Sequence, residues 1–281
     1  MPIALAFACA VVYGIADYCG GRSSRSAPSI AVSLIGQLSS LVLGLSAVLI
    51  IGTAWPAARE LAWGGLAGCA SAVALASFYH ALSHGSMTVV APITAVTSAV
   101  LPVVFGLVRG ERPAILAYVG MVLAVGAVAL VSGAVGVRHA ETARSTLLYA
   151  FVAGVGFAVI FIALGETTSS SGIWPLVSAR VVSVTIIGLI AVLSRTPVRG
   201  HGRIWRLAAL AGILDMSANF IYLLAVRRGL LSIVVVVVAL YPVSTVMLAF
   251  GLDHERVSRS QAVGMLMAVS ALVLVSVAGA T

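Results

Sequence analysis

The stretch LVRGERPAILAYVGM at residues 107–121 returns 144 positions later as GLDHERVSRSQAVGM at residues 251–265. Glu111-Arg112 falls on Glu255-Arg256, and Gly120-Met121 falls on Gly264-Met265. The frame holds outward: Gly85 meets Gly229, Ala81 meets Ala225, Gly68 meets Gly212, Arg59 meets Arg203 and Tyr13 meets Phe157. Apolar low-complexity sequence produces chance matches of Ala and Val. A charged pair that interrupts two long apolar runs at one register does not arise that way. The chain reads as two copies of one unit.

Each unit holds five apolar segments. A hydrocarbon core of about 30 Å takes about 20 helical residues, and cutting the chain at its charged or Pro/Gly/Ser-rich breaks gives ten such runs. They lie near 2–21, 29–52, 60–82, 86–108, 113–134, 147–168, 173–194, 204–226, 230–252 and 258–279. The runs are long and show no alternation of period two, which argues against strands. The expected fold is an all-α polytopic membrane protein, with ten transmembrane helices as two repeats, 1–136 and 145–281. An odd number of spans per unit places the second unit upside down relative to the first, an arrangement common in secondary transporters.

Composition agrees. Of 281 residues, 61% are hydrophobic and only 9% charged, against about 25% charged in a soluble domain; mean hydropathy is +1.16. A water-soluble fold and an intrinsically disordered chain are both excluded. The net charge of +8 rests on 16 basic residues, all Arg, placed mainly at the ends of apolar runs. That is anchoring against lipid headgroups and not a nucleic-acid groove. Cys9, Cys19 and Cys69 form no CxxC pair, so neither a disulfide nor a metal framework is expected. The first run reads as a retained span and not a cleaved signal.

Charge inside a span is expensive and seldom faces lipid, so the exceptions are the candidates. Asp17 stands one turn beyond Tyr13 on the first span, where it either faces a pathway or snorkels from the helix end. Asp215, Asn219 and Tyr222 share one face of the eighth span, either lining a cavity or locking the bundle. Arg180 needs an acid, a carbonyl or water, and pairing with Asp215 or Asp17 is the economical solution; a guanidinium fork also suits a substrate carboxylate. His80, after Tyr79, is either a proton-exchanging group or an interfacial anchor. Thr94 and Ser98 sit one turn apart in the fourth span, near Pro92 and Pro102, while Pro242 interrupts the ninth beside Tyr241. With Phe157, these aromatic residues could meet apolar or cationic solutes, or serve as belt residues, the better reading for Trp55, Trp63, Trp174 and Trp205. Gly64, Gly68, Ala208 and Gly212 read as helix-packing positions. Glu111-Arg112 and Glu255-Arg256 read as loop pairs or caps fixing the next helix start.

No nucleotide-binding loop, nucleophile elbow or zinc-protease motif is present, so ATP-driven transport is excluded for this chain alone, and no cofactor, metal or catalytic residue is expected. Two five-helix halves carrying Ala81, Gly85, Glu111-Arg112 and Gly120, then Ala225, Gly229, Tyr241-Pro242, Glu255-Arg256 and Gly264, resemble the EamA family of the drug/metabolite transporter superfamily. Arg180 matches an Arg common in that family's second and seventh helices. Gly36, beside Gln37, stands at the equivalent first-half position, so the first-half Arg is missing. Tyr13-Gly14 stands where the family has Trp-Gly. The resemblance implies a secondary transporter, often an exporter, of a small metabolite such as an amino acid, moved through a central cavity between the halves. Spans 1, 3, 4, 6, 8 and 9 are expected to build that cavity. Expected partners are the solute, a proton as coupling ion, and the lipids of a cell membrane, the bacterial plasma membrane, with the chain a monomer or homodimer and no nucleic acid bound. The rival class is an integral membrane enzyme or accessory subunit acting on lipid-linked substrates. Arg distribution places both termini outside, with Arg59, Arg109, Arg112, Arg227 and Arg228 on one side against ten Arg on the other. The resemblance implies both inside.

Overall fold

The computed structural model describes residues 1–85, 87–131, 144–197, 202–253 and 259–278. Glu255-Arg256 and the junction between the halves lie outside the described residues. Within them all regular structure is helical: α1 (Pro2–Ser24), α2 (Ser29–Ile51), α3 (Ala58–His84), α4 (Met87–Val108), α5 (Ile115–Val131), α6 (Arg144–Gly165), α7 (Trp174–Leu193), α8 (Gly202–Val226), α9 (Leu231–Val238), α10 (Tyr241–Asp253) and α11 (Arg259–Ala278). A single 3-10 turn, Ser169–Ser171, precedes α7. Eight of the expected spans are helices long and apolar enough to cross a membrane. The fifth and tenth contribute shorter apolar stretches, Ile115–Ala127 and Ala262–Ala271.

Helix ends follow local chemistry. Pro175 opens α7, where a missing N–H is harmless. Gly52 closes α2 in a left-handed conformation at φ 67, which a residue without Cβ adopts freely. The expected ninth span differs from a single helix. Its backbone tightens at Ala239–Leu240, where Leu240 N–H bonds Val237 O at 3.2 Å, and restarts as α10 at Tyr241. Pro242 lacks an N–H and pushes the residue before it away from helical geometry. By contrast α4 runs unbroken through Pro92 and Pro102.

Packing runs chiefly between the two halves. α1 lies along α8 as α6 lies along α3; α2 meets α8 as α7 meets α3; α1 meets α9 and α10 as α6 meets α4. The remaining extensive pairings join positional counterparts: α2 with α7, α4 with α9 and α10, and α5 with α11. Exchanging the halves leaves this pattern unchanged. Small residues permit the approach. A Cβ on Gly64 or Gly68 would collide with the backbone carbonyls of Pro175 or Ala179 on α7. One on Gly212 would collide with the carbonyl of Gly36 on α2. Ser40 adds a hydroxyl bond to Gly212 O at 2.5 Å. The small-residue positions are contact seams.

Candidate functional site

Where α2, α3, α7 and α8 meet, the sequence supplies polar groups that no helix could leave toward lipid. Arg180 is buried, with 4% of its side chain exposed. It donates to Asp215 Oδ2 at 2.6 Å, Gln37 Oε1 at 3.0 Å and Ser71 Oγ at 3.1 Å. Gln37 donates to Ser71 Oγ at 3.0 Å, and the Ser183 hydroxyl donates to Gln37 Oε1 at 2.9 Å. Asn219 donates to the carbonyl of Asp215 at 2.8 Å and to its Oδ1 at 3.3 Å. A guanidinium cannot neutralise itself by losing a proton; this cage supplies acceptors for both of its terminal nitrogens, while the buried Nε has no partner among the described residues. Ser71 stands at the register of Asp215, 144 positions earlier, just as Gly36 stands at that of Arg180. The charge pair belongs to the second half, and its first-half counterparts are neutral.

Asp215 connects this cage to a narrow cavity. Tyr13 and Asp17 from α1, Ser98 from α4, Phe157 and Phe161 from α6, Asp215 from α8 and Tyr241 from α10 line it. Its room for a water-sized sphere is about 20 Å³, enough for one water. The break between α9 and α10 sets Tyr241 at this wall, its phenol donating to Ala91 O at 3.1 Å. Tyr13 and Phe161 meet edge to face, 6.3 Å between centroids.

The other expected residues stand elsewhere. Tyr222 is fully buried and donates to Phe161 O at 2.7 Å. Thr94 donates to Ala150 O at 3.1 Å, fastening α4 to α6. Tyr79 packs against Gly20 of α1 and beside Phe78. His80 lies in a separate cleft with Arg25 and His84, its ring 4.4 Å from His84 and 4.4 Å from Tyr149. Four helices bring lining residues from the expected set α1, α4, α6 and α8, and the broken ninth span adds α10. α3 contributes Ser71 to the cage instead. Phe161, Gln37, Ser71 and Ser183 were not anticipated. Phe161 alone carried a signal, since it stands 144 positions after Asp17 and one turn after Phe157.

One end of the molecule is tied across the halves. The carboxylate of Glu111 accepts the N–H groups of Leu231 at 2.7 Å and Ser232 at 3.0 Å. Glu111 was expected to pair within its loop or cap the following helix. It caps α9 in the other half instead, because the tight turn at Gly110, φ 93, swings it toward that helix terminus. Glu60 accepts Thr168 N–H at 2.9 Å, and Arg109 pairs with Glu166. Arg227 donates to Gly172 O and Ser171 Oγ, both at 2.9 Å. Trp174 donates to Thr53 O at 3.3 Å and stacks edge-on against Trp55 at 4.6 Å.

Residues 144–277, which carry α6 through most of α11, match the EamA-like transporter family. Over those residues the chain is similar to the EamA-like transporters. The match includes Arg180, Asp215, Asn219 and Tyr241, so the charge pair lies inside the EamA-like half. A crystal structure of another protein shares the fold of the whole chain, with a TM-score of 0.74 over 96% of this chain and 98% of that one, at 16% identity. No curated protein matches in sequence. Eight helices long and apolar enough to cross a membrane, together with the family match, indicate a multi-pass membrane protein.

Proposed function

We propose that the chain is a secondary transporter whose ten membrane-crossing helices form two inverted repeats, 1–136 and 145–281. It carries a small polar or amphipathic metabolite, such as an amino acid, outward through the cavity between them. The observation that carries this reading is the cavity itself: an aromatic-walled, mainly apolar space holding two carboxylates, lined from both halves and wired through Asp215 to a buried Arg180. The exchange symmetry of the helix pairings supports the two repeats. A space with room for one water is too small for a metabolite, so transport requires the halves to part. The ties made by Glu60, Glu111 and Glu166 hold one end shut in this conformation, and alternating access consists of releasing them while the opposite end closes.

Purified protein in liposomes loaded with a broad metabolite panel tests the proposal. A solute should move down an imposed gradient without ATP. Folded protein that moves nothing in the panel would overturn it.

A further inference from the structure

Two carboxylates face the cavity, and they differ in one respect. Asp215 is held by Arg180 and Asn219. Asp17, 8% exposed, has no hydrogen-bond or ion-pair partner among the described residues, and it lines the cavity. Arg180 is committed to Asp215, and Arg22, further along α1, donates to Tyr18 Oη at 2.9 Å. A carboxylate in an apolar interior without a partner is strongly disfavoured, and either holds a proton or gives it up when a cation arrives to pair with it. The walls around it suit one kind of cation. Tyr13, Phe157, Phe161 and Tyr241 line the same cavity as the acid, and ring faces attract organic cations. A hard metal cation needs about six oxygen ligands. Beyond Asp17 the cavity offers the Ser98 hydroxyl, two phenols and an Asp215 already engaged.

The repeat sharpens this. Position 161 in the second half is Phe where the first half has Asp17, and position 157 is Phe against Tyr13. At equivalent positions of the two halves the cavity therefore carries an acid from α1 and a ring from α6. Once the halves part, a cationic head entering this space gains both a charge partner and aromatic rings.

We propose that this cavity selects solutes bearing a positively charged amine, with Asp17 as the counter-charge and Phe157, Phe161, Tyr13 and Tyr241 as the box around the head. The inference rests on the transporter reading of the same cavity and names its substrate class.

Calorimetric titration of the full-length protein in detergent tests it apart from transport. The probes are choline and phenethylamine, each against an uncharged counterpart of similar shape, 3,3-dimethylbutan-1-ol and 2-phenylethanol, with sodium chloride as a separate arm. At least one cation should bind about tenfold or more tightly than its neutral counterpart. Asp17→Asn should abolish that preference, Asp17→Glu should retain part of it, and both variants should elute as the wild type on size exclusion. Phe161→Leu should weaken the cation without affecting sodium. Equal binding of cations and neutral counterparts, a preference surviving in Asp17→Asn, or saturation by sodium alone would each overturn the proposal. The liposome panel separates the two readings. Flux of solutes with no dependence on Asp17 leaves the transporter standing and removes the amine site, whereas tight choline binding without any flux does the reverse.

Discussion

At the scale of single residues, Arg180 is the group with the least freedom. It is permanently charged, buried, and held at its terminal nitrogens by one acid and two neutral acceptors. Removing the acid from a buried pair leaves an uncompensated charge, at a cost of about 3–5 kcal/mol. Asp215→Asn should therefore lower thermal stability and cut solute flux at least about tenfold, roughly 1.4 kcal/mol in the limiting barrier. Arg180→Gln/Asp215→Asn should recover much of the stability. If flux recovers with it, the pair is a lock; if stability returns alone, the pair takes part in transport. Asp17 and Asp215 could be found in the sequence because a charge in an apolar run is costly and so has a reason. Gln37 and Ser71 could not, since small polar residues are cheap in a helix and their role depends on how four helices are rotated. Tyr222 and Thr94 failed in the opposite sense. They share a face with cavity positions, but their hydroxyls reach carbonyls on α6.

At the scale of elements, the seams between helices have little tolerance. A side chain at Gly212 would drive into the Gly36 carbonyl, and backbone cannot yield as a flexible side chain can. Gly212→Leu should reduce the folded yield sharply, while Gly251→Leu on α10, whose Cβ would meet nothing within 4 Å, should not; size-exclusion profiles of the two variants make the comparison. The cap on α9 gives a finer test. Glu111→Ala strips two backbone N–H groups of their acceptor, a loss of about 1 kcal/mol. Hydrogen exchange at Leu231 and Ser232 should quicken while amides in the middle of α8 keep their protection. Unchanged exchange at those two amides would mean that the cap contributes nothing. The repeat marked Glu111 as important, yet sequence spacing pointed it at the nearest helix start. The true partner lies 120 positions away and becomes visible only once the halves are packed. Pro242 similarly announced a disturbance in the ninth span, but α4 tolerates two prolines without a break, so proline alone did not decide between a kink and an interruption.

At the scale of the whole molecule, the long apolar helices were legible in the sequence, and the frame of 144 that ties together charged loops, glycines and aromatic residues is the ground for proposing a repeat. Orientation was not legible, since the Arg count and the family resemblance oppose each other. Reporters fused at Gly136 and at Thr281 should fall on opposite faces of the membrane, as five intervening spans require; a same-side result would sink the two-repeat architecture. The packing pattern has a further consequence, for synthesis. Nearly every extensive helix contact joins one half to the other, so the first five helices leave the ribosome with their glycine seams unfilled. At about 5–20 residues per second, the complementary half arrives about 7–28 seconds later. During that interval Gly64, Gly68 and Gly36 must face lipid or an insertion chaperone, and the chain is at its most vulnerable to quality-control proteolysis. The same logic implies that the connection between the halves dictates timing and not shape: residues 1–136 and 145–281 made as separate polypeptides in one cell should still find each other, each surviving only in the company of the other.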